Sequence, residues 1–89
     1  MRFKYQINFN NQEVFLQELR RKFEEFHLES KNFSFEKKEN KTWVFLMDVQ
    51  FKEYAKELEK TTGIHKNVIP IMQELEDEGV VLTQKLLLN

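Results

Sequence analysis

The stretch Lys41–Gln50, KTWVFLMDVQ, decides the fold. Read as a strand, it turns Trp43, Phe45, Met47 and Val49 to one side and Val44 and Leu46 to the other. Asp48 is the only charge on that second side. A strand apolar on both faces is normally central in its sheet, because an edge or half-solvated strand alternates apolar with polar. The remaining elements are therefore sought as the neighbours and cover of this strand.

Upstream, Arg2–Phe9 alternates: Phe3, Tyr5, Ile7 and Phe9 on one face, Arg2, Lys4, Gln6 and Asn8 on the other. This is the pattern of a half-buried strand rather than of a targeting segment, which would carry an apolar core. A helix follows. Asn10 and Glu13 have the spacing of a capping box, and Phe9 and Val14 that of a hydrophobic staple. Phe15, Leu16, Leu19, Phe23 and Phe26 then recur at helical spacing to about His27, with Arg20, Arg21, Lys22, Glu24 and Glu25 on the solvated side. From Leu28 to Glu39 the pattern is that of an edge strand, with Phe33 and Phe35 facing in. Lys37–Lys41 is the turn into the central strand.

Beyond Gln50 the helical period returns in Phe51, Tyr54, Ala55 and Leu58, with Gly63 as a stop. Val68, Ile71, Met72 and Leu75 suit a further helix capped by Asn67, with Pro70 in its first turn and Gly79 at its end. The competing reading makes residues 67–72 a strand, which Pro70 would confine to an edge. Val80, Leu82, Leu86 and Leu88 suit one face of a last strand.

The order is β-α-β-β-α-(α)-β in a single domain spanning residues 1–89. It resembles the ferredoxin-like plait, with the extra helix as the departure. That resemblance implies an α+β sandwich with one antiparallel sheet and its helices on one face. The other face would be open, and either the Trp43/Phe45/Met47 row or the Val44/Leu46 row would lie on it. A contiguous apolar row left in solvent marks an interface.

Composition narrows the function. The 89 residues are 40% hydrophobic and 33% charged, with a net charge of −1. This is an ordinary globular composition without the basic excess that drives general nucleic-acid binding. Nine phenylalanines supply much apolar area to a small core. There is no cysteine, which removes disulfides, thiolate metal sites and cysteine nucleophiles and fits a cytoplasmic location. No apolar run is long enough for a membrane span. His27 and His65 lack a companion at metal-ligand spacing, Gly63 and Gly79 make no phosphate loop, and Ser30 and Ser34 lie in no nucleophile motif. No catalytic residue, metal or cofactor is expected.

The leading expectation is a non-enzymatic interaction module that binds a protein partner, or itself as a homodimer, with Trp43, Phe45 and Met47 as apolar anchors. Glu74, Asp77 and Glu78 load a helix C-terminus with charge opposed to its dipole, which points to docking against a basic protein surface. The alternative is nucleic-acid binding. Residues 41–46 resemble the RNP1 pattern of RNA-recognition motifs, which implies Trp43 and Phe45 as base-stacking positions. The spacing from Val68 to Val80 is similar to a winged-helix recognition helix leading into its wing, which implies DNA contacts by Lys66, Asn67 and Gln73.

Overall fold

The structure, a computed structural model, describes residues 2–39, 42–51 and 65–87; the side chains of 2, 31, 50, 51 and 65–67 are outside that description. The elements are β1 (Arg2–Phe9), α1 (Gln12–Glu25), β2 (Leu28–Lys37), β3 (Trp43–Phe51), α2 (His65–Asp77) and β4 (Val81–Leu86). The four described strands form one sheet in the order β2-β3-β1-β4, with every neighbouring pair antiparallel. The tryptophan-bearing strand is thus internal, as its two apolar faces require. The expected helix after Gln50 falls on residues 52–64, outside the described residues, and Phe51 itself is strand, paired with Leu28.

Both described helices lie on one face of the sheet. Phe15, Leu19 and Phe23 of α1 and Val68, Ile71, Met72 and Leu75 of α2 share a core with Phe3, Tyr5 and Ile7 of β1 and Phe45, Met47 and Val49 of β3. Each fully buried large side chain stabilises by roughly 1.5–3 kcal/mol relative to exposure. One end of this core is aromatic. Phe9 stacks on Phe15 at 5.5 Å and on Trp43 at 5.8 Å, and Phe35 stacks on Phe45 at 5.0 Å.

The helix ends show how local chemistry sets the boundaries. The cap of α1 is Asn11, one residue later than the spacing predicts: its Oδ1 accepts from the backbone N–H of Glu13 at 2.9 Å and of Val14 at 3.2 Å. Phe9 packs on Phe15, and Val14 stays exposed, so no staple forms. At the other end His27 takes a left-handed conformation, φ 55°. Helix α2 already includes His65, so Asn67 is inside the helix and cannot cap it, and Pro70 is an interior residue. Having no N–H, Pro70 leaves the carbonyl of residue 66 without its usual donor. Residues 67–72 are helix, not strand. The end of α2 is a Schellman motif: Val80 N–H donates to Leu75 O, Gly79 N–H to Glu76 O, and Gly79 has φ 77°.

Two β-bulges correct the expected faces. In β2 the pairing slips between Ser30 and Asn32, so Leu28 faces the core on one side of the slip, and Phe33 and Phe35 on the other. In β4 the slip opposite Asn8 and Phe9 reverses the parity at Leu82. Val81 is buried and Leu82 is 52% exposed, so Leu82 leaves the face on which Val80 and Leu86 pack against the core; Leu88 lies outside the described residues. A single extra residue exchanges inward for outward positions along the rest of a strand.

Candidate functional site: the sheet face opposite the two helices

Strand β3 was expected to leave one of its two apolar rows open. The row that faces the helices is Trp43, Phe45, Met47 and Val49. Phe45 and Met47 have no exposed surface, and Trp43 is half-buried at the end of the aromatic stack. They are core residues, which corrects their assignment as surface anchors. The same orientation turns Trp43 and Phe45 away from any base that could stack on the open face.

The opposite face carries no helix among the described residues. Its strands bring residues together in cross-strand rows. One row reads Lys85, Gln6, Val44, Glu36 from β4 to β2. The next reads Lys4, Leu46, Ser34, and is extended beyond β4 by Leu87, whose N–H donates to Lys4 O at 2.8 Å. On the other side Asn8 Nδ2 donates to Thr83 Oγ1 at 2.8 Å, tying β1 to β4. Val44 is buried between its longer neighbours Gln6 and Glu36, while Leu46 is half-buried. Lys85, Gln6, Thr83, Ser34 and Glu36 are exposed. The face therefore has a small aliphatic centre, cations toward β4, and carboxylates on β2 (Glu36) and on β3 (Asp48, paired across the strands with Arg2 and Asn32).

The acidic end of α2 is arranged differently from the expected docking patch. Lys22 of α1 is buried, and its Nζ donates to Glu74 Oε2 at 2.9 Å and to Glu78 Oε1 at 2.8 Å. The basic surface that these carboxylates meet belongs to the same chain. Their side chains are 50% and 41% exposed, so the ammonium sits at the rim while its aliphatic stem is sunk between the helices. The hydrogen bonds to Glu78 and Glu74 raise the Lys22 pKa above its usual 10.5. Lys22 was placed with the solvated residues from its charge. Its position three residues after Leu19 and seven after Phe15 puts it within the apolar stripe, and that spacing was the available signal. Asp77 lies on the exposed side of α2, where its Oδ1 accepts from Gln73 Nε2 at 3.0 Å. Gln73 also donates to Glu76 at 3.2 Å, so this proposed base-reading amide is held among carboxylates. Lys66 and Asn67 lie in α2, with their side chains outside the described residues.

Among the described residues, two polar groups are buried without a partner, Tyr5 Oη and Ser30 Oγ. Burial pushes the Tyr5 phenol up to about 12. Ser30 borders a groove of about 240 Å³ between α1 and the edge strand β2, lined also by Arg20, Phe23, Leu28 and Phe33. The Arg20 guanidinium lies over the Phe33 ring at 5.4 Å. No group of three or more metal-ligating side chains occurs among the described residues. No described helix is long and apolar enough to cross a membrane. Comparison with protein-family models, with curated proteins and with solved structures finds no match for this chain.

Proposed function

We propose that this chain is a small non-enzymatic interaction module of the ferredoxin-like plait type, which docks a protein partner on the face of its sheet opposite α1 and α2. The plait reading is supported by the strand order β2-β3-β1-β4 with all neighbours antiparallel. It is supported too by two helices sharing one core on one side. The observation that carries the docking reading is the composition of the second face. Leu46 and Val44 lie at its middle, ringed by Lys4, Gln6, Ser34, Glu36 and Lys85. An apolar centre with a hydrogen-bonding rim is the anatomy of a non-obligate protein interface. The anchors are thus Leu46 and its neighbours rather than the aromatic row.

The reading is tested by affinity capture from the source cells with the wild-type chain and with Leu46→Glu. A retained protein is then purified and its contacts mapped by amide shift perturbation. A partner that is lost with Leu46→Glu and perturbs β1 and β3 on their outer face is the expected result. Retention that is indifferent to Leu46, or perturbation confined to the helices, overturns the proposal.

A further inference from the structure

We propose that the occupant of the sheet face opposite α1 and α2 is a second copy of this chain, packed sheet to sheet about a twofold axis that runs along the strands between β1 and β3. The inference deepens the interaction-module reading and rests on it. What carries it is the charge order of the rows. From β4 to β2 the central row is Lys85, Gln6, Val44, Glu36. A half-turn about the stated axis lays this row on itself end for end. Lys85 of one copy then faces Glu36 of the second copy, and the same pair recurs at the opposite end. Gln6 lies over Val44 in both halves. The adjacent row, Leu87, Lys4, Leu46, Ser34, reverses in the same way and brings the Lys4 stem over Leu46 of the second copy. Opposite charges at the two ends of one row, equidistant from the midline between β1 and β3, are what an isologous contact requires of a single surface.

The size of the face sets the strength. Four strands about 4.8 Å apart and six rows about 3.3 Å apart span roughly 19 by 20 Å, or ~400 Å² for each copy. A contact of ~800 Å² in total falls below the ~1,200 Å² of stable specific interfaces and in the range of weak, transient ones. With two charge pairs near the rim and a modest aliphatic centre, dissociation falls at roughly tens to hundreds of micromolar. The pairs set orientation more than they add affinity, so raising the salt weakens the dimer only moderately.

Sedimentation equilibrium from 10 µM to 1 mM, with amide shifts followed over the same range, tests the proposal through Glu36→Lys and Lys85→Glu. Both residues are exposed, and among the described residues the ion pair that Glu36 would lose is a 3.7 Å contact with Lys38, so both variants are expected to fold. The wild type is expected to dimerise, with concentration-dependent shifts at Lys4, Gln6, Leu46 and Lys85. Each single variant repels its own copy and is expected to dissociate at least tenfold more readily. An equimolar mixture of the two restores association, because each variant then meets the opposite charge at both ends. A wild type that stays monomeric to 1 mM overturns the second copy as occupant; loss of the Leu46-dependent capture described above is the separate failure of the module reading. A dimer whose shifts map to the free edge of β2, or a mixture no tighter than its components, also overturns the inference.

Discussion

The Nζ of Lys22 on α1 lies 2.9 Å from Oε2 of Glu74 on α2, although the two residues are 52 positions apart in the chain. Glu78, four residues on and just past the end of α2, closes on the same ammonium at 2.8 Å. This clasp joins the two helices above the sheet and explains why a helix can end in a run of carboxylates. Glu74, Glu76, Asp77 and Glu78 oppose the dipole of α2, and the Lys22 cation offsets that repulsion from the neighbouring helix.

Substitution at Lys22 separates its charge from its stem. Lys22→Ala removes both the packing between the helices and the cation, and is expected to cost roughly 1–2 kcal/mol in urea unfolding. Lys22→Met keeps the stem and gives up the ion pairs, whose carboxylates remain half-exposed and can return to water. Its cost is expected to be below about 1 kcal/mol. Equal losses for the two variants would contradict the separation.

Tyr5 makes the stability fall in alkali. Its hydroxyl is buried and without a partner, and its pKa is raised from 10.0 to about 12. A raised native pKa means that the folded state holds the proton more tightly than the unfolded chain. The contribution is complete below pH 10 and is lost as the pH rises toward 12. Lys22, whose pKa is also raised, adds to the same alkaline loss above 10.5. Tyr5→Phe is expected to flatten this limb, and at pH 7 to stabilise by about 1 kcal/mol by removing an unpaired hydroxyl. Thermal midpoints of the two proteins between pH 7 and 12 provide the check; a Phe variant with an unchanged alkaline slope contradicts the assignment.

The α1 cap is resolved by paired substitutions. Asn11→Ala should cost about 1 kcal/mol, since Asn11 Oδ1 alone satisfies the N–H groups of Glu13 and Val14. Asn10→Ala should change stability by less than about 0.3 kcal/mol, as an exposed residue outside the cap. The reverse ranking in denaturant midpoints would return the cap to the residue that spacing alone selects.

Gly79→Ala isolates backbone strain. A Cβ at Gly79 meets nothing within 4 Å, so a packing clash is absent and only the φ of +77° resists the change. The expected loss is about 1–2 kcal/mol by equilibrium unfolding, the cost of a left-handed conformation for a residue with a side chain. A neutral substitution would mean that the end of α2 relaxes into another turn.

Much of the fold is legible in the chain itself. The alternation of Phe3, Tyr5, Ile7 and Phe9 and the spacing of Phe15, Leu19 and Phe23 specify a strand and a helix. These patterns reflect which side chains avoid water over a few residues. The two bulges are less legible: at Ser30–Asn32 and at Leu82 a strand takes in one extra residue, and the alternation that identifies a strand cannot show where it slips.

The sequence by itself determined that Trp43–Val49 runs through the interior of a sheet, because both of its faces are apolar. It did not determine which face the helices would cover, because Trp43, Phe45 and Met47 compete with Val44 and Leu46 for that role by hydrophobicity alone. Tertiary structure decided it: the larger row fits against the rings of Phe15 and Phe35, and the shorter aliphatic row remains between Gln6 and Glu36. The Lys22 clasp was decided at the same level, since a charge pair between two helices exists only once their packing sets the distance between them.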